Sequence, residues 1–443
     1  MRAANPRYNL RRQLGLAAAA AIVAGDILGS GIFFTPGELA AVAQTAWHVY
    51  LFWALSGIIT LCGALTLAEL TSILPRAGAT YHIIREAFGS FWAFIKVWIE
   101  MWISGPGSVA GVAILFGEFA ARLLDYSPQI WGTIGIAVFA VINLLGVQWG
   151  GRTQITLTIT KISALLLLVF GSLWLAEPAT TNVSALQGQP GFLAFFRLVG
   201  LGVAAVLFTY DGWIDVTHVA GEVSDPGRNL PRALALGVGS IILLYLLVNF
   251  AFLRIVPLEQ MRKAPTLISA TVAAKTFGPT GATFLNALIA VSILGALGGL
   301  VMTLPRLFFA AAAQYEPFFF KILATVSSRT AVPQGSIFFS AITSILALHF
   351  FHSFSRIVNF FVVPLQLINI LLVASIFKLR NRSGPNHKYR TPAFPVVPLI
   401  YIVVMALFLA SAVLYRPMDT LMAVALTATG VPVYLWIRKK KAI

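Results

Sequence analysis

Charge is scarce in this chain. Only 10% of its 443 residues are Asp, Glu, Lys or Arg, against about 25% in an ordinary soluble protein. That excludes a water-soluble globular domain. Acids are the scarcer sign, 15 against 31 Lys and Arg. Cysteine is nearly absent. Cys62 stands alone inside an apolar run, so no intrachain disulfide is possible and the redox compartment stays open. Metal-ligand spacing, a nucleophile elbow and a phosphate loop are all missing. The sequence therefore points away from an enzyme and implies no cofactor. A cleavable signal peptide is not expected, because the first apolar run is too long and lacks a small-residue cleavage site.

What is present is hydrophobic length. Apolar residues make up 58% of the chain and the mean hydropathy is +0.86. Apolar runs of about 20 residues recur, the length that crosses a bilayer as a helix. The expected fold class is an all-α polytopic membrane protein with twelve spans. They are read near 14–42, 47–70, 91–124, 130–147, 153–174, 192–223, 233–256, 280–313, 334–351, 357–377, 396–414 and 419–437, with a short surface helix at 265–277. The net charge of +16 would suggest nucleic acid in a soluble chain. Here Lys and Arg sit in short loops, concentrated on one side: the N-terminus, Arg76 and Arg85, Arg152, Arg228 and Arg232, the 378–390 loop and the C-terminus. Positive loops face the cytoplasm, so both termini are expected there, in an inner or plasma membrane.

Two spans are interrupted. In the first, Gly25–Pro36 (GDILGSGIFFTP) places Gly29, Ser30 and Gly31 in a row, residues that hold a helix poorly. Pro36 reads as the first turn of a new helix. Phe208–Trp213 (FTYDGW) interrupts the sixth span in the same way. Lipid cannot satisfy bare backbone groups, so such breaks face a cavity. Paired breaks in two halves point to a transporter binding site. Gly25-x-x-x-Gly29 could by itself be a helix-packing motif; the matching second break favours binding. The expected organisation is a cytoplasmic N-terminus 1–13, a five-span repeat 14–175, an inverted five-span repeat 192–377, two further spans 396–437 and a cytoplasmic tail 438–443. Three buried-charge features stand out besides. Lys161 lies about 13 Å of helix rise beyond Arg152, deep for a snorkelling lysine. Lys96 and Glu100 share a helix face and are expected to neutralise each other. Asp26, one turn before the first break, and Asp211, within the second, are candidate proton sites or helix caps.

The Gly25–Pro36 stretch, the Phe208–Trp213 break, the loop from Gly221 to Ala233 (GEVSDPGRNLPRA), Ala68-Glu69-Leu70 and Pro75–Tyr81 together resemble the amino acid–polyamine–organocation (APC) superfamily. Within it they are most similar to the L-type amino acid transporter branch and its bacterial serine/threonine and alanine/serine/cysteine exchangers. The resemblance covers nearly the whole chain. It implies a LeuT-type 5+5 inverted repeat with helices 1 and 6 broken, and sodium-independent exchange of small or medium neutral L-amino acids by alternating access. A zwitterion needs donors for its carboxylate, supplied by the half-helix N-terminus at Ser30, Gly31 and Ile32. Its ammonium needs acceptors, supplied by carbonyls around Ile27, Leu28, Phe208 and Thr209, with Gly29 and Asp211 beside them. By resemblance Phe208 is the gating aromatic, and Lys161 replaces the sodium ion of sodium-coupled relatives. The departures are Ala79, where many relatives have glycine, Asp211, where several animal relatives have glycine, and the lack of a cysteine between helices 3 and 4. No disulfide-linked heavy chain is therefore expected. The partners are a free amino acid and the bilayer, without nucleic acid. The alternatives are a proton-coupled symporter, a carrier of cationic amino acids or polyamines, and, more remotely, a non-transporting sensor.

Overall fold

A computed structural model describes residues 12–29, 31–121, 125–178, 198–200, 202–203, 206–263, 268–314, 318–351, 354–382, 389–415 and 417–441. These residues are almost entirely helical, with a single isolated bridge, Leu14 to Val223, in place of strands. In chain order the helices are α1 (Leu16–Ile27), α2 (Gly31–Val42), α3 (Ala46–Ile73), α4 (Ala79–Phe88), α5 (Ser90–Ile99), α6 (Gly105–Ala120), α7 (Pro128–Leu144), α8 (Val147–Leu175), α9 (Pro226–Ile255) and α10 (Leu258–Lys263). There follow α11 (Ile268–Phe277), α12 (Gly281–Ala312), α13 (Phe318–Leu323), α14 (Gln334–Phe351), α15 (Phe354–Ala374), α16 (Ile376–Leu379), α17 (Val396–Tyr415), α18 (Pro417–Ala428) and α19 (Gly430–Lys441). Among the described residues six stretches are long and apolar enough to cross a bilayer, and α1 with α2 makes a seventh, bent by 40°. Four shorter apolar helices accompany them. The sixth span lies only partly within the described residues.

The first break forms where three small residues leave the helix nothing to hold it. α1 ends at Ile27, Leu28 leaves helical geometry, and Gly29 N–H turns back to the Ile27 carbonyl at 2.8 Å. Ser30 falls outside the described residues. α2 begins at Gly31, so Pro36 sits in its interior and not in its first turn as expected. Lacking an N–H, Pro36 leaves the Ile32 carbonyl without its helical donor.

Four other elements differ from the sequence expectation. The third span, read as one run over 91–124, is widened just ahead of Gly105-Pro106-Gly107 by a π-turn over Glu100–Ser104. Pro106 cannot donate to the carbonyl four residues back, and a side chain on Gly105 would strike the Glu100 carbonyl. Beyond the second break, residues 211–222 are turns with a short 3-10 piece at Asp215–Thr217, not a regular half-helix. Gly212, at φ +103°, sets that course. The Pro226–Pro231 loop is helical, because Pro226 occupies the first turn of α9, where a missing N–H costs nothing. The last span breaks at Thr429, ahead of Gly430 and Pro432.

The expected surface helix α11 is instead half sunk. Val272 and Ala273 are fully buried, and Ser269 Oγ donates to the Phe33 carbonyl at 2.6 Å. In front of it, Arg262 in α10 donates to the Ala40 and Ala43 carbonyls at the end of α2, at 2.8 and 2.6 Å. Those are carbonyls a helix C-terminus leaves unpaired.

α1 lies at the centre, packed on α8, α9 and α12. Small residues let these helices approach. A Cβ on Gly25 would strike Gln154 and Thr158 of α8, and one on Gly237 would meet Val23. The chain ahead of α1 is tied to the segment after the second break. Gln13 and Leu14 N–H groups donate to the Glu222 carbonyl at 2.8 and 2.9 Å, and Ser224 N–H donates to the Leu14 carbonyl at 2.8 Å. The Glu222 carboxylate pairs with Arg306 of α12 at 2.8 Å, both fully buried. Arg306 also donates to the Met302 carbonyl. Removing one partner of such a pair typically costs about 3–5 kcal/mol, since the other charge is left uncompensated.

Candidate functional site

The two breaks meet in the middle of the bundle. A Cβ on Gly31 would collide with the Thr209 side chain, and one on Gly212 would come 2.8 Å from the Asp26 carbonyl. Thr35 Oγ1 and Thr209 Oγ1 share a hydrogen bond of 2.9 Å, joining α2 to the second break. Beside this crossing is a cavity of about 140 Å³. Its lining includes Gly29, Gly31 and Thr209 from the breaks, Asp26 from α1, and Asp211, Asp215 and His218 from the segment after the second break. Ser108, Gly111, Val112 and Leu115 of α6 line it too, with Ala296, Leu300 and Leu304 of α12 and Leu365, Asn369 and Leu372 of α15.

Backbone at the first break is held by side chains from three other helices. Lys161 of α8, fully buried, donates to the Gly25 carbonyl at 2.5 Å and to the Leu28 carbonyl at 2.8 Å. Ser292 of α12 donates to the same Leu28 oxygen at 3.3 Å. Tyr245 of α9 reaches both breaks, its hydroxyl lying 3.0 Å from the Ile27 carbonyl and 3.3 Å from that of Thr209. One hydroxyl has one proton, so it serves one oxygen at a time. Tyr245 is itself packed edge-on against Trp53, with ring centroids 5.0 Å apart. An ammonium placed deep inside a span needs partners of this kind. At Lys161 two helix-end carbonyls supply them.

The expected site residues divide accordingly. Asp26, Ile27, Gly29, Gly31, Thr209 and Asp211 line the cavity. Gly29 has open space where its Cβ would be, so its backbone is the part of the first break that a ligand can approach. The carbonyls of Ile27 and Leu28 already accept protein donors, each keeping a lone pair for a second bond. Ile32 is buried away from the cavity. Phe208 heads the short 3-10 turn at the second break; its side chain falls outside the described residues. Lys96 and Glu100 form their pair at 3.2 Å, and Ser104 Oγ donates to the other Glu100 oxygen at 3.0 Å across the π-turn. Trp213 packs on Tyr401. Glu69 accepts from Thr391 N–H at 2.7 Å and faces Arg380, which ties α3 to the chain ahead of α17.

Several participants escaped the sequence reading. Tyr245 sits in a run of aliphatic residues with nothing to mark it. Asp215 and His218 were hidden because the segment was read as helix on the strength of its hydrophobicity. Gly299 of α12 is a notch for Asp26, whose carboxylate occupies the space a Cβ there would take. Gln154 Nε2 donates to that carboxylate at 3.4 Å, while its second oxygen has no partner. The clue to the notch was the small-residue spacing Gly295, Gly298, Gly299, which signals close helix approach.

Comparison with known proteins gives a consistent result. The sequence profile described as amino acid permease matches residues 14–437. The serine/threonine exchanger SteT of Bacillus subtilis is 29% identical over 438 residues, covering 98% of both chains. The human cystine/glutamate transporter is 26% identical, covering 98% of this chain and 88% of its own. Mouse large neutral amino acids transporter small subunit 2 is 26% identical, covering 98% and 83%.

Proposed function

The chain belongs to the amino acid permease family, a family of transporters and not of enzymes, and on that premise we propose a sodium-independent exchanger of free L-amino acids. The observation that carries this is the pair of breaks facing one cavity, with an ammonium built into the first of them. Lys161 occupies, on two carbonyls of the first break, the place where a coupling cation would otherwise be needed. A fixed charge cannot be driven by a gradient, which suits exchange. The amino acid lies across the breaks. Its carboxylate faces the N-terminal end of α2, the expected Ser30–Ile32 stretch, of which Gly31 lines the cavity and where the helix dipole favours an anion. Its ammonium lies against the carbonyls around Ile27, Leu28, Phe208 and Thr209, and Phe208 closes over it.

The bias of Lys and Arg supports a cell (inner or plasma) membrane protein with both termini cytoplasmic. In that orientation the seal of Leu14, Glu222 and Arg306 is the cytoplasmic gate. Alternating access then consists of opening this seal while the other end closes. The inverted relation of 14–175 and 192–377 makes the two motions equivalent. Neutral side chains are the first substrate class to test, following the similarity to the serine/threonine and large neutral exchangers. No cysteine lies in the loop joining the third and fourth spans, which supports activity without a disulfide-linked partner.

The test is uptake of labelled serine, alanine, leucine and arginine into proteoliposomes, with and without unlabelled amino acid inside and with no ion gradient. Exchange predicts uptake only into loaded vesicles. Equal uptake into empty vesicles, accelerated by a proton gradient, would replace exchange with proton symport. Asp26, with one carboxylate oxygen unpartnered, is then the residue to neutralise first, followed by Asp211.

A further inference from the structure

The corner where α4 turns into α5 gathers positive charge from distant parts of the chain. α4 starts beside the segment after the second break, where Gly78 N–H donates to the His218 carbonyl at 2.8 Å. Its last residue, Phe88, lies under the Lys378 ammonium of α16, 4.4 Å from the ring centroid. Gly89, at φ +92°, makes the turn. Ser90 opens α5 and shares a hydrogen bond of 2.8 Å with the Tyr434 hydroxyl of α19. Phe91 packs edge-on against the Tyr434 ring, with centroids 5.3 Å apart. Arg438 stands four residues beyond Tyr434, on the same helix face. Lys378, Arg438 and Lys439 are all exposed, and Lys440 and Lys441 continue the run.

These cations are not neutralised from within. α5, α16 and α19 contain no Asp or Glu. Glu86, the one acid of α4, is two residues from Phe88, and residues so spaced do not share a helix face. Among the described residues no carboxylate pairs with Lys378, Arg438 or Lys439. Other cations of the chain are engaged: Arg85 donates to Gln314 at 2.6 Å, Arg380 faces Glu69 at 3.5 Å, and Arg306 pairs with Glu222. The Phe88 ring attracts the Lys378 ammonium through its face, and an ammonium carries three N–H donors, so donors remain for an anion.

The depth of the corner selects its partner. The helical stretches that carry it, Ser90–Ala120 and Thr420–Lys439, are long and apolar enough to cross a bilayer. Trp92 and Trp436 are 39% and 50% exposed on them, and such tryptophans sit at the level of the lipid headgroups. Leu435, 49% exposed, adds hydrocarbon to the surface one turn before the cations. Uncompensated cations beside exposed hydrocarbon match a molecule with a phosphate and acyl chains, and basic runs directly after a span attract anionic lipid.

We propose that the Phe88–Ser90 turn, with Lys378, Arg438 and Lys439 around it, binds the headgroup of an anionic phospholipid, in the cytoplasmic leaflet for the orientation given above. Lipid binding needs no amino acid, so this inference and the exchange reading can fail separately.

The experiment is native mass spectrometry of the full-length protein in a neutral detergent, titrated with phosphatidylglycerol or with phosphatidylcholine. Phosphatidylglycerol should bind about tenfold or more tightly than phosphatidylcholine, and added salt should weaken it. Lys378→Gln combined with Arg438→Gln should weaken phosphatidylglycerol by about tenfold and leave phosphatidylcholine unchanged. Arg228→Gln, which removes an exposed cation of α9 outside the corner, should change neither. Each single variant should lose part of the preference, which keeps the test open if the double variant fails to fold. Equal affinity for the two lipids overturns the proposal, as does a preference that survives the double substitution. A loss in Arg228→Gln as large as in the double variant would reduce the effect to net charge and overturn the site. Displacement of phosphatidylglycerol by an equal concentration of inorganic phosphate, or tighter binding of polyglutamate, would overturn the assignment to lipid.

Discussion

Replacing Gly299 with alanine tests the packing on which the first break depends. The new methyl group on α12 would occupy the space now held by the Asp26 carboxylate. Asp26 cannot simply lean aside. Its own backbone is pinned against Gly212, where a Cβ would come within 2.8 Å of the Asp26 carbonyl, and Gln154 holds its Oδ1. Either the carboxylate rotates into the cavity or α12 moves away from α1. Overpacking of this kind costs about 1–3 kcal/mol. Asp26→Ala alone removes one long hydrogen bond of 3.4 Å and also an oxygen that has no partner, so its net cost should be below about 1 kcal/mol. The double variant then has an empty notch ready for the new methyl group. Its cost should fall short of the sum of the single costs by roughly 1–2 kcal/mol, a coupling characteristic of residues in contact. The assay is the thermal midpoint of purified protein in detergent, read by size-exclusion chromatography, with exchange rate measured in parallel. If Gly299→Ala melts and exchanges like the wild type, or if the two substitutions add without coupling, Asp26 does not occupy the notch and the close approach of α1 to α12 is wrong.

Three further outcomes follow from the same geometry. Gly29→Ala and Gly25→Ala should separate binding from folding: at Gly29 the Cβ enters open space at the cavity, so the protein folds and substrate KM rises, whereas at Gly25 it strikes Gln154 and Thr158 and the yield of folded protein should fall. Tyr245→Phe removes the hydroxyl that serves the Ile27 and Thr209 carbonyls; the loss should be about 1 kcal/mol in stability with a larger fall in exchange rate, and an unchanged rate would exclude it from the substrate site. His82 lies in α4, outside the spans, where burial and then the neighbouring Arg76 and Arg85 push its pKa from 6.5 down to about 4. The folded protein therefore resists protonating it, so stability should decline as pH falls from about 6.5 toward 4, where the unfolded chain takes up the proton first. His82→Gln should flatten the thermal midpoint over that range, and an identical pH profile in the variant would refute the assignment.

Much of this protein could be read directly from its residues. Hydrophobic length alone located most of the long apolar helices, because a bilayer core demands it of any crossing helix. Gly29, Ser30 and Gly31 located the first break, because small residues in series cannot sustain a helix against competing backbone partners. Lys161 could be singled out because a lysine at that depth must have a partner. The identity of that partner depended on the three-dimensional packing. Which carbonyls it meets depends on α8 crossing α1 close enough for Gly25 to touch Gln154, a distance set by shape and not by periodicity. Tyr245 and the Gly299 notch belong to the same class, since each acts on residues more than 200 positions away in the chain. The irregular course of 211–222 was equally hidden. Its hydrophobicity reads as helix, but its own hydrogen bonds are short i→i−3 ones, and the His218 and Glu222 carbonyls accept from Gly78, Gln13 and Leu14 instead. Local sequence determines where a backbone can break, while tertiary packing decides which groups satisfy the break and which remain open to a ligand.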